Sequence, residues 1–133
     1  MSRRVSELQL EHFRAYIQGH LEDADFKLTN VAAAFRLSDR YVRRVFKAAA
    51  ETPSEFLRHR RLELAARRLR DRNCDHLTIL AIALECGFND PAHFSRCFYR
   101  RYGATPRTYR KGKGAAAGID PTGAPGRGIP AGP

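Results

Sequence analysis

Tryptophan is absent from this 133-residue chain, methionine occurs once and lysine only four times. No apolar run exceeds the six residues Ile79 to Leu84, whereas a membrane-spanning helix needs about 20, so no membrane partner is expected. Cysteine occurs three times, as Cys74, Cys86 and Cys97 with gaps of 12 and 11, which fit neither a complete disulfide framework nor a C-x-x-C metal pair. The five histidines are scattered without ligand spacing, so no metal or other cofactor is expected. A G-x-S-x-G elbow, a phosphate-binding loop and a clustered carboxylate pair are all missing, and the chain does not read as an enzyme. Near the N-terminus, Arg3 and Arg4 precede an amphipathic stretch, unlike the apolar core of a cleaved signal. The expectation is a basic, soluble, cytoplasmic protein.

What the chain has in abundance is arginine. Lys plus Arg total 24 against 14 acids, a net charge of +10, and 20 of the cations are Arg. The planar guanidinium fork matches phosphate oxygens and the guanine edge, so this bias suits nucleic acid. Its placement is more telling. Between Pro91 and Lys111 stand six cations (Arg96, Arg100, Arg101, Arg107, Arg110 and Lys111) and no acid.

Residues 112–133 contain 7 Gly, 4 Pro and 5 Ala, a composition too poor in large apolar groups to offset its ordering entropy, and they read as a disordered tail. The preceding 1–111 reads as all-α, because apolar residues recur at spacings of three and four and never alternate over a strand length. Seven helices are expected. Ser6 and Gln9 read as a capping box for the first, carrying Leu10, Phe13, Ile17 and Leu21. The acidic stretch Glu22–Asp25 reads as a loop. Thr29 is expected to cap the second helix and Ser38 the third, which carries Val42, Val45 and Phe46. Thr52-Pro53-Ser54-Glu55 reads as a capping box opening a long fourth helix to about Arg70, with Leu57, Leu62, Ala65 and Leu69 in line. Thr78, Asp90-Pro91 and Thr105-Pro106 open the remaining three, and Gly87 stops the fifth.

The helix starts repeat. Val31-Ala32 meets Ile82-Ala83 at an offset of 51, Arg44-Val45-Phe46 meets Arg96-Cys97-Phe98 at 52, and Thr52-Pro53 meets Thr105-Pro106 at 53. Helix, tight turn, helix, occurring twice, is the geometry that seats a helix in a DNA groove. The second unit is the more specific. Ile82-Ala83, Gly87-Phe88, the run Asn89-Asp90-Pro91-Ala92-His93-Phe94-Ser95-Arg96-Cys97-Phe98, then Tyr102-Gly103-Ala104-Thr105-Pro106 and Tyr109-Arg110 resemble the signature of the AraC/XylS family of bacterial transcription regulators. The first unit agrees through Leu37-Ser38, Arg44, Phe46-Lys47 and Arg61-Leu62.

That resemblance covers roughly residues 10–111. It implies two helix–turn–helix subdomains, about 6–52 and about 77–111, joined by a linker helix at about 53–72. It also implies a sequence-specific regulator of double-stranded DNA. A linker of about 18 residues spans about 27 Å, near the 34 Å between adjacent major-groove faces, so one chain is expected to bind an asymmetric site as a monomer. By the same resemblance Arg40, Arg43, Arg44, Ser95 and Arg96 are the base-reading candidates. Ser38, Lys47, His93, Arg100 and Arg107 are the candidates for phosphate contact or support. Pro91 and Ala92 stand where the family commonly has polar readers. Arg36 replaces the glycine found at Gly87, so a left-handed backbone there would cost about 1 kcal/mol. The first unit also lacks one residue and the glycine of Tyr102-Gly103-Ala104.

Other readings are plainer. The arginines of the linker (Arg58, Arg60, Arg61, Arg67, Arg68, Arg70 and Arg72) read as a solvated face with some phosphate contact, and Glu63 with Arg67 as an i,i+4 pair. Cys86 and Cys97 read as core, Cys74 as an exposed loop residue. A paired helix–turn–helix module also occurs fused to a DNA-repair methyltransferase, but about 111 foldable residues leave no room for that catalytic domain. The alternative function is an interaction module that acts on RNA polymerase or another regulator; it would show no salt-dependent affinity for duplex DNA. No sensor domain precedes the first helix, so the chain is expected to be a stand-alone regulator or a fragment.

Overall fold

The computed structural model describes residues 3–112; the tail expected over 112–133 lies outside them except for its first residue, Gly112. Among the described residues there are seven α-helices and no strand: α1 (Arg3–Gln18), α2 (Thr29–Phe35), α3 (Asp39–Lys47), α4 (Pro53–Leu69), α5 (Ile79–Glu85), α6 (Pro91–Tyr102) and α7 (Pro106–Lys111), with a 3₁₀ turn at Arg72–Cys74. The chain divides into two compact units at Arg60/Arg61, within α4.

The first unit packs α1, α2, α3 and the start of α4. Phe13, Ile17, Val31, Val42, Val45, Phe46, Phe56 and Leu57 are buried, as helical periodicity dictates. Phe13 meets Phe35 edge-on at 5.2 Å and stacks near Phe46 at 6.4 Å. Leu21, expected on the first helix, lies in the turn beyond its end and is buried nonetheless, and the acidic loop delivers Phe26 to the interior, where it stacks on His20 at 4.9 Å. In the second unit Leu62, Ala65, Ala66 and Leu69 of α4 enclose Ile82, Ala83, Cys86, Phe88, Phe94, Cys97, Phe98, Tyr102 and Tyr109. Both Cys86 and Cys97 are buried, and Cys74 is half-buried rather than exposed.

Five expected caps form. The Oγ of Ser38 accepts from the Tyr41 N–H at 3.1 Å, that of Thr78 from Ala81 at 3.0 Å, and that of Thr105 from Thr108 at 3.1 Å. Asp90 accepts from Ala92 and His93. The Thr52/Glu55 box closes in both directions, at 2.9 and 3.0 Å, and the Thr52 N–H holds the Glu55 carboxyl below its usual range. Two expected caps do not form. The first helix begins at Arg3, upstream of Ser6, because Arg4 and Val5 continue the helical turn ahead of it. Thr29 lies inside α2, whose cap position is Leu28; the Asn30 side chain instead accepts from the Lys27 N–H at 2.9 Å.

The helix–turn–helix corners are hydrogen-bonded alike. In the first, Leu37 N–H donates to Ala32 O at 2.9 Å; in the second, Phe88 N–H donates to Ala83 O at 3.0 Å. Each such closure needs a left-handed residue. Gly87 supplies it in the second unit at φ 94°, and Arg36 in the first at φ 57°. The same contrast recurs after the second helix of each corner, with Gly103 at φ 71° and Ala50 at φ 59°. A side chain in this region costs about 1–2 kcal/mol, offset in part by the greater unfolded-state freedom of glycine. Arg36→Gly and Ala50→Gly are therefore each expected to stabilise the protein by about 0.5–1 kcal/mol, measured as a rise in urea midpoint at unchanged m-value.

Candidate nucleic-acid interface

Ser38 has an extended backbone (φ −86°, ψ 153°) and starts α3 sharply. From there the helix separates its residues by chemistry. Val42, Val45 and Phe46 are buried, whereas Arg40, Arg43, Arg44 and Lys47 are exposed. With about 100° per residue, these four cations fall on one stripe. The Tyr41 hydroxyl hydrogen-bonds the Gln9 side chain of α1, which anchors the helix that carries them. An arginine on such a stripe can address O6 and N7 of guanine with two parallel N–H groups.

Asp90 and Pro91 start α6 in the same manner. Phe94, Cys97 and Phe98 are buried, and Ala92, His93, Ser95, Arg96, Tyr99 and Arg100 are exposed. His93 lies back along its own helix, with Nε2 at 3.5 Å from the Cys97 Sγ and its ring 6.3 Å from that of Phe88. It therefore serves as a flank of the face rather than its centre. Arg107, at the start of α7, is exposed. All ten residues expected at the interface are thus solvent-exposed, five on α3 or its cap and five on α6 or α7.

Some arginines turn inward. Arg101 donates to Glu63 Oε2 at 3.1 Å, Arg110 donates to the Cys74 carbonyl at 2.8 Å, and Arg70 lies 3.8 Å from the centre of the Tyr109 ring. The Glu63 partner observed there is 38 residues away, not only a neighbour on its own helix. Arg68 reaches Glu85 at 3.6 Å. In the first unit Arg14 and His59 both approach Glu51, at 3.6 and 3.4 Å. Two of the six cations between Pro91 and Lys111 are therefore structural. Tyr99 is the exposed α6 residue that the sequence reading passes over. Its alignment with Lys47 at the repeat offset of 52 is the signal that marks it.

Comparisons with known proteins agree with this geometry. Residues 31–112 match a family model described as a helix-turn-helix domain. The transcriptional activator NphR of a Rhodococcus species is 36% identical over 102 residues, which cover 77% of this chain and 30% of that protein. The HTH-type transcriptional activator RhaS of Escherichia fergusonii is 35% identical over 112 residues, covering 84% and 39%. The chain thus spans about a third of the length of the curated relatives it matches. The solved C-terminal domain of AraT, a response regulator from Geobacillus stearothermophilus, superposes with a TM-score of 0.70 at 30% identity, covering 77% of this chain and 83% of that one. A DNA-binding transcriptional dual regulator from Escherichia coli K-12 shares the fold at a TM-score of 0.68 and 19% identity.

Proposed function

Because the chain belongs to the AraC-type helix-turn-helix family of DNA-binding transcription regulators, we propose that it binds double-stranded DNA at a specific asymmetric site and activates transcription there. The observation that carries this reading is the exposed Arg40–Arg43–Arg44–Lys47 stripe on a capped helix whose opposite face is core. Arg40, Arg43 and Arg44 read guanine edges, and Lys47 supports them through the backbone. Ser95 and Arg96 read from the second unit, and Ser38, His93, Arg100 and Arg107 hold the backbone. Binding at such a site involves no chemical step. Its relatives carry activator names, and an activator's natural second partner is RNA polymerase. Among the described residues no helix is long and apolar enough to cross a membrane, which fits a regulator working in the cytoplasm.

The two stripes differ in sequence, so one chain fills one site. Selection from a random duplex library is expected to yield a non-palindromic sequence about two helical turns long. Light scattering on that duplex is then expected to give one chain per site. Two chains on a palindrome would overturn the monomeric reading, and recovery of no preferred sequence would overturn the specific one.

A further inference from the structure

The two exposed stripes can be superposed residue by residue through the internal repeat. At the offset of 52, Arg40 corresponds to Ala92, Arg43 to Ser95, Arg44 to Arg96 and Lys47 to Tyr99. All eight are exposed. At about 100° per residue, the first and last of each set project about 20° apart and form the centre of the face. The second and third flank that centre on either side. In α3 the centre is cationic. In α6 it is a methyl group and a phenol ring.

The Tyr99 ring is not spare core. It is 41% exposed, while Tyr102 and Tyr109 of the same unit are 8% and 4% exposed. Arg96 and Arg100 border the stripe, and the chain carries no acid from Pro91 to Lys111, so the complementary occupant is a polyanion. From Ala92 to Tyr99 the stripe is about 10 Å long at 1.5 Å per residue, matching about three base pairs at 3.4 Å each. One base edge in the major groove of a duplex is apolar, the 5-methyl group of thymine, and small apolar side chains contact it.

We propose that the second unit recognises thymine through its 5-methyl groups, with Ala92 and Tyr99 as the contacting residues, while the first unit recognises guanine through hydrogen bonds. This rests on the reading of the chain as a sequence-specific duplex-binding protein. It divides the site chemically: a guanine-containing segment and a thymine-containing one, distinguished by different forces. The Tyr99 hydroxyl remains free to donate to a phosphate while its ring covers the methyl group.

The test uses the full chain and its selected duplex. Arg96→Ala identifies the segment read by the second unit, as the positions where preference relaxes. Thymines in that segment are then replaced one at a time by deoxyuridine, which removes only the methyl group. At one or more positions the affinity is expected to fall about fourfold, the worth of one buried methyl. Deoxyuridine elsewhere in the site is expected to change nothing, whereas 7-deazaguanine weakens the first segment. Tyr99→Ala is expected to lower affinity for the thymine duplex and to erase the difference from deoxyuridine. Tyr99→Lys, which copies the residue at the equivalent place in α3, is expected to erase it too while keeping a long exposed side chain.

Unchanged affinity with deoxyuridine at every position of that segment overturns the proposal and leaves the DNA-binding reading intact. So does a selected segment without thymine, or a methyl effect that survives both Tyr99 variants. Failure to bind any preferred duplex overturns both.

Discussion

Raising salt from 50 to 200 mM is expected to weaken binding to the selected duplex by about 10³–10⁵-fold, with a slope of log K against log salt of about −5 to −9. That range follows from roughly 6–10 phosphate contacts, each releasing about 0.9 of a counterion. The structure distinguishes the cations that contribute. Arg100 and Arg107 are exposed, so alanine at either is expected to flatten the slope by about one. Arg110 is committed to the Cys74 carbonyl and Arg101 to Glu63; Arg110→Ala is expected to leave the slope unchanged. A fluorescence titration at four salt concentrations measures all three. A flat salt response in the parent chain would favour an interaction module that acts on another protein.

Removing either Arg43 or Arg44 is expected to cost about 1–3 kcal/mol of discrimination, a loss of roughly fivefold to 150-fold in specific affinity. Neither residue supports the fold, since both are exposed and the core face of α3 consists of Val42, Val45 and Phe46. Thermal stability is therefore expected to stay within about 0.5 kcal/mol of the parent. Binding to a scrambled duplex loses only one phosphate-range charge and falls far less. Arg67→Ala, on an exposed position of α4, provides the contrast: it is expected to lower specific and scrambled binding by the same small factor. Competition against both duplexes at one salt concentration separates these outcomes. Equal losses on both duplexes for Arg43→Ala and Arg44→Ala would assign α3 to backbone positioning alone.

What the sequence makes legible is mainly what is local. Ser38, Thr52 with Glu55, Thr78, Asp90 and Thr105 all cap as expected because a cap is decided within four residues. Arg36 in the left-handed region follows from its alignment with Gly87. Local competition defeats the other two. Arg4 and Val5 extend α1 past Ser6, and the Asn30 side chain, not that of Thr29, satisfies the backbone ahead of α2. Leu21 continues the apolar line of α1 beyond the helix end and is buried as that period implies, whereas Phe26, a loop residue that becomes core, carries no period that would reveal it. Distant polar pairs are equally silent: Gln9 with Tyr41, Glu63 with Arg101 and Cys74 with Arg110 lie 32, 38 and 36 residues apart. The last two pairs decide which arginines remain available to a polyanion. Tyr99 is a different case: its place in the repeat is legible, but next to the core residue Phe98 nothing local distinguishes an exposed ring from a buried one.

The left-handed residues Arg36 and Ala50 bear on how the protein opens. Both belong to the first unit, one on either side of α3, while the matching turns of the second unit have glycine. Local unfolding draws on the segments with least free energy to lose, so amide hydrogens of α3 are expected to exchange sooner than those of α6. On that expectation α3 has the larger fraying population, and a DNA site that orders it would supply that ordering free energy itself. Occupancy by DNA should accordingly slow exchange in α3 more than in α6, making the first unit the place where binding and folding are thermodynamically linked.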